Sequence, residues 1–102
     1  MKVGVAATGG SLDAEVSEQF GRCAYFLIVD SETMHFEAFS NPAASMAGGA
    51  GPAAARELAN RQAEVVLAGR VGPNAQRALE AAGIQFSQAS GKARDAVAAL
   101  KS

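Results

Sequence analysis

The stretch at 16–30, VSEQFGRCAYFLIVD, constrains this chain more than any other. Its second half, Ala24 to Val29, is an apolar, aromatic and β-branched run that stops at Asp30. A run of this length and character predicts a strand covered on both faces. Its first half is a tight polar corner, Gln19-Phe20-Gly21-Arg22-Cys23. The corner combines a glycine, a fixed positive charge and the chain's only thiol. A ligand, if the chain takes one, is expected to touch this corner.

The 102 residues are expected to form a single domain, 1–102. Composition is that of an ordinary globular protein, with 49% hydrophobic and 19% charged residues. The net charge of −1, with both signs mixed along the chain, gives no basic patch for nucleic acid. No stretch approaches the roughly 18 apolar residues of a membrane span, and the start, Met-Lys-Val-Gly-Val, has no leader character. The expectation is a soluble, cytoplasmic protein with no nucleic-acid or membrane partner. One cysteine excludes an internal disulfide and, within one chain, a four-thiolate cluster or zinc site.

Taken in order, residues 2–8 predict a first strand with small residues at Gly4, Ala6 and Ala7. Gly9-Gly10-Ser11 breaks it. Residues 12–19 are acidic and predict a loop with at most one irregular turn. The covered strand occupies 24–30, a polar turn 31–33, and a third strand 34–40, with Phe36 and Ala38 on one face and His35, Glu37 and Phe39 on the other. Residues 41–51, NPAASMAGGAG, have no period and predict a loop. Pro52 is expected to open a helix whose inner stripe is Ala54, Ala55, Leu58 and Ala59. A fourth strand over 64–68 and a turn at 69–72 follow. Pro73 opens a second helix with Ala75, Ala78, Leu79 and Ala82 inward, and Gly83 sits just past its end. A last strand over 84–87 and a third helix over 91–100 complete the chain.

The order β-β-β-α-β-α-β-α restricts the topology. Right-handed crossovers make strands three, four and five parallel, and the short turn at 31–33 reverses strand two. A five-stranded mixed sheet of order 3-2-1-4-5, with strand two antiparallel, satisfies all of this. The fold class is therefore α/β. Four segments then meet at one sheet edge: the 9–19 loop, the 20–23 corner, the 41–51 loop and the 69–72 turn. Ligands of open α/β sheets bind at the carboxyl ends of parallel strands. Helix starts there favour an anion, and Arg22 and Arg70 add charge. Cys23 and Met46 add soft sulfur. The expected pocket suits a bulky anion of soft character.

Five pieces in register carry a family resemblance. They are Val16-Ser17; Phe20-Gly21-Arg22 with Tyr25-Phe26-Leu27-Ile28-Val29-Asp30; Asn41-Pro42; Gly49-Ala50-Gly51-Pro52-Ala53; and Gly72-Pro73-Asn74-Ala75 followed by Gly83-Ile84. In these the chain resembles the nitrogenase iron–molybdenum-cofactor biosynthesis domain. That family includes cofactor carriers of the NifX kind, the C-terminal part of NifB, and small stand-alone proteins such as the molybdenum–copper orange protein. The resemblance implies a ribonuclease-H-like three-layer α/β/α fold. It also implies a small metal–sulfur cluster-binding protein, a carrier or chaperone without catalysis, whose partners are cluster donor and acceptor proteins. The anionic cluster would be an iron–molybdenum-cofactor precursor, an iron–sulfur cluster or a molybdenum–copper sulfide. The matching positions make Gln19, Phe20, Gly21, Arg22, Cys23, Asn41, Met46, Gly49, Gly51 and Gly72 the candidate binding residues. Family histidines are replaced by Gln19 and are missing from Ser45-Met46-Ala47-Gly48-Gly49. Capture of a whole cluster by charge and hydrogen bonds is thus expected over metal–nitrogen bonds.

Alternatives stand beside each assignment. Arg22 reads as an anion clamp or as a surface arginine paired with Asp13, Glu15 or Glu18. Cys23 reads as a ligand or as a small buried thiol. Met46 reads as a soft lid or as a gap-filler. His35 reads as structural or solvated. A nuclease on this fold needs carboxylates on the central strands, and KVGVAAT has none. A phosphate or nucleotide site at Thr8-Gly9-Gly10-Ser11 lacks both the P-loop and the dinucleotide fingerprint. A ligand-free interaction domain is the remaining alternative. Both a monomer and a weak homodimer fit the sequence.

Overall fold

The structure, a computed structural model, describes residues 1–100. Its elements are β1 (Lys2–Ala7), β2 (Tyr25–Asp30), β3 (Phe36–Ser40), α1 (Ala50–Asn60), β4 (Val65–Ala68), α2 (Pro73–Ala81), β5 (Gln85–Gln88) and α3 (Ala93–Leu100). The sheet has five strands in the order β3-β2-β1-β4-β5. β2 runs antiparallel to both neighbours, and β1, β4 and β5 pair in parallel. The expected order and the reversed second strand are both found.

Alternation along the strands divides the core into two layers. Gly4, Ala6, Phe26, Ile28 and Val66 face α1 and α2, which contribute Ala54, Ala55, Leu58, Ala75 and Leu79. Val3, Val5, Leu27, Val29 and Leu67 face α3, which contributes Ala93, Ala96 and Val97. Small residues in β1 set the spacing. A Cβ on Gly4 would stand 3.2 Å from Leu58 Cδ2. Leu58 is fully buried, which is worth about 1.5–3 kcal/mol. Its close seat over β1 fixes how α1 lies on the sheet.

Boundaries moved where single residues adopt unusual backbone. Met34, expected inside the third strand, sits at φ 63, and its amide donates to the Asp30 carbonyl at 2.8 Å. The turn therefore runs on and β3 begins at Phe36. The Asp30 carboxylate accepts from the Glu32 amide at 2.9 Å, and this bond chiefly holds its pKa below the usual range. Pro52 does not open α1. The helix starts two positions earlier, at Ala50, because Gly49 takes the left-handed conformation, φ 73, and turns the chain into it.

The acidic loop at 12–19 is packed, not simply solvated. Leu12 and Val16 are buried in the layer under α3. Ala7 bridges Val16, Glu15 bridges Lys92, and Gln19 bridges Arg70. The Ser17 amide donates to the Ala6 carbonyl at 2.7 Å, while the Ser17 carbonyl accepts from the Gly69 amide at 2.8 Å. The segment thus wedges between the diverging carboxyl ends of β1 and β4. That wedge delivers the next residues, Gln19 and Phe20, to the sheet edge.

Candidate functional site

The wedge makes a corner, and the corner brings two helix starts together through glycine. A Cβ on Gly21 would lie 2.9 Å from the Gly51 backbone. A Cβ on Gly51 would lie 2.7 Å from Ala75 Cβ. One on Gly69 would lie 2.6 Å from Glu18 Cα. Only bare backbone lets the corner, the start of α1 and the start of α2 stack this closely.

Their junction opens into a cavity of about 480 Å³. Gln19, Phe20, Gly21 and Arg22 line it from the corner, Gly49 to Pro52 from α1, and Arg70 to Ala75 from α2 and the turn before it. Two arginines and no carboxylate belong to this lining. Neither helix start carries a side-chain cap, and neither first turn carries an acid. The amides of Ala50, Gly51, Asn74 and Ala75 find no acceptor among the described residues. Orphan N–H groups and the positive ends of two helix dipoles therefore point at one space. A Cβ on Gly72 would meet nothing within 4 Å, and the φ of −73° there is open to any residue. The glycine keeps the cavity clear and leaves the helix start uncapped.

Of the expected binding residues, Gln19, Phe20, Gly21, Arg22, Gly49, Gly51 and Gly72 line this cavity. Phe20 does so from the core, where its ring packs 5.4 Å from that of Phe26. Arg22 matches neither of its two readings fully. Among the described residues it has no carboxylate partner; its Nη1 donates to the carbonyls of Ala44 at 3.1 Å and Met46 at 2.7 Å. The guanidinium thus pins the glycine-rich loop while its charge stays at the cavity rim.

Cys23, Asn41 and Met46 are not brought to the lining. Cys23 is buried, its Sγ donates to the Tyr25 carbonyl at 3.2 Å, and burial pushes its pKa up to about 12. Burial keeps this thiol neutral at neutral pH and off the cavity surface. The Asn41 amide donates to the carbonyls of Gly21 and Cys23, both at 3.0 Å, and its Oδ1 accepts from the Ala43 amide at 3.0 Å. Asn41 therefore ties the corner to the loop from behind. Met46 is exposed on the loop, and its Cε lies 4.0 Å from where a Gly49 Cβ would be. The Gly9-Gly10 turn lies elsewhere, with Gly10 against Ala38 and Tyr25.

Arg70, Ala50, Pro52, Val71, Pro73, Asn74 and Ala75 join the lining without having been among the ten. The Gly72-Pro73-Asn74 start of α2 was the signal for Pro73, Asn74 and Ala75, since the first amides of a helix have no acceptor within it. Among the described residues no three His, Cys, Asp or Glu side chains converge. What the cavity offers is amide donors and guanidinium charge, a donor set whose chemistry suits an anion.

The comparisons with known proteins agree with this architecture. A family described as dinitrogenase iron-molybdenum cofactor matches residues 1–102. The apo orange protein from Desulfovibrio gigas is 41% identical, with a TM-score of 0.93 over 98% of this chain and 86% of that one. A candidate NifB protein from Thermotoga is 32% identical, with a TM-score of 0.83 over 98% of this chain and 86% of its own. No curated protein matches the chain. The family match over the whole length and the identity with these two structures establish that the chain belongs to the dinitrogenase iron-molybdenum cofactor family.

Proposed function

We propose that the chain is a non-catalytic carrier that receives, shields and hands on an anionic metal–sulfur cluster in the cytoplasm. Membership of the family ties it to iron–molybdenum-cofactor and metal-cluster chemistry. The carrier role rests on one observation: two uncapped helix starts and two arginines face one acid-free cavity. The cluster is cargo. Its terminal sulfides and oxides accept hydrogen bonds from the Ala50, Gly51, Asn74 and Ala75 amides, and Arg22 and Arg70 balance its charge. Holding by amides and guanidinium leaves the metal–sulfur bonds of the cargo intact, so release from this chain breaks hydrogen bonds and no bond to a metal.

Reconstitution with tetrathiomolybdate, with and without copper(I), tests this through the visible absorption bands of the bound species. Saturable binding that weakens with rising salt is expected. Inorganic phosphate or ATP binding with higher affinity at the same residues would favour the phosphate reading. Absence of binding by all of these would end the carrier proposal.

A further inference from the structure

β3 is an edge strand whose outer side has no partner among the described residues. We propose that this edge pairs, antiparallel and about a two-fold axis through Ala38, with β3 of a second copy of the chain. The proposal is independent of the cargo reading.

Backbone phase comes first. The Asp30 amide donates to the His35 carbonyl at 2.8 Å and the Asn41 amide to the Ala24 carbonyl at 3.0 Å. Hydrogen-bonded positions repeat every second residue in an antiparallel ladder. With Phe26 opposite Phe39 and Ile28 opposite Glu37, residues 37 and 39 therefore direct their polar groups to β2. The N–H and C=O groups of Phe36, Ala38 and Ser40 point away from the sheet. Centring the two-fold on Ala38 sets Ala38 against Ala38 and Phe36 against Ser40. Those are the positions whose donors and acceptors are free, so the edge complements itself without a register fault.

Charge complementarity then selects a second copy over another strand. The same register sets Glu37 against Phe39 of the second copy, as a close pair with Cα atoms about 4.5 Å apart. The Arg61 guanidinium stacks 3.7 Å from the Phe39 ring centroid in each copy; its Nε donates to Glu57 of its own chain at 3.0 Å, and its Nη1, 3.7 Å from Glu37 of that chain, is the part turned toward the edge. Each Glu37 would thus gain the second copy's Arg61, and the exchange is reciprocal. On the opposite face Tyr25 and Phe36 are 37% and 42% exposed, which extends an apolar surface across the junction. β3 also lacks the usual guards of a free edge, having no lysine and no internal proline.

Sedimentation velocity over a wide concentration range, with amide exchange by NMR at its two ends, tests the pairing. The parent should dimerise reversibly. The Phe36, Ala38 and Ser40 amides should gain protection at high concentration, while Glu37 and Phe39 stay protected throughout. Ala38→Pro removes an outward N–H and leaves the β2 ladder intact. It should weaken dimerisation about tenfold or more, as should Glu37→Arg through like charge facing Arg61. Both variants should keep the parent's circular dichroism and tetrathiomolybdate response. A parent that stays monomeric at every concentration overturns the proposal. So does a dimer that survives Ala38→Pro, or one that forms without added protection at 36, 38 and 40.

Discussion

At the scale of single residues, the site is shaped by what glycine leaves out. Gly51 has no room for a methyl group against Ala75, at 2.7 Å. Gly51→Ala is expected to cost about 1–3 kcal/mol of stability, the usual penalty for overpacking. Urea unfolding measures it, and Ala75→Gly in the same chain should recover part of the loss. Gly72 is the opposite case, since its missing side chain faces open space. Gly72→Asp would cap α2 and place negative charge at its start. Stability should rise by about 0.5 kcal/mol while anion binding weakens, because the new carboxylate takes the amides the ligand needs. A variant that binds as tightly as the parent would remove α2 from the site. Cys23 gives a pH prediction. Burial favours its neutral thiol and raises the pKa from 9.0 to about 12. The stabilisation is complete below pH 9.0 and is lost as pH rises toward about 12, where the unfolded chain is already ionised and the folded chain is not. Cys23→Ala should flatten that alkaline fall in denaturation curves. The native thiol should also resist alkylation at neutral pH until the chain unfolds.

At the scale of elements, the corner and the loop hold each other. Arg22 reaches the carbonyls of Ala44 and Met46, and Asn41 reaches those of Gly21 and Cys23. Arg22→Ala therefore has two expected consequences. Anion binding should weaken by about 1–3 kcal/mol, the usual worth of hydrogen bonds to charged groups. Proteolysis within 43–48 should also speed up, because the loop loses its pin. Cys23→Ser should disturb binding much less. Periodicity made most of these elements legible. Ala75 and Leu79 gave α2, and the run from Phe26 to Val29 gave β2. The start of α1 was not legible, because proline looked like the stronger signal and the turn was made by Gly49 at φ 73. The wedge at 15–19 was not legible either. It is held by main-chain bonds from Ser17 to Ala6 and Gly69, and main-chain bonding leaves no mark on side-chain pattern.

For the whole molecule, strand order was readable because a short turn and two right-handed crossovers leave few topologies. The sheet edge followed from the order, and so did most of the lining. What the pattern could not separate was lining from framework. Cys23 sits in the same corner as Gly21 and Arg22, and Asn41 in a matching motif of its own, yet both face inward behind the corner. The central claim is that helix-start amides and guanidinium charge hold an anionic metal–sulfur cluster in the cavity between α1 and α2. Its most direct test is a visible-absorption titration of the parent, Arg22→Ala, Gly72→Asp and Cys23→Ser with tetrathiomolybdate and copper(I). Saturable binding by the parent, weakening in Arg22→Ala and Gly72→Asp, and near-parental binding in Cys23→Ser is the predicted result. Parental binding in the first two variants with loss in Cys23→Ser would contradict the account and put a thiolate-ligated cluster in its place.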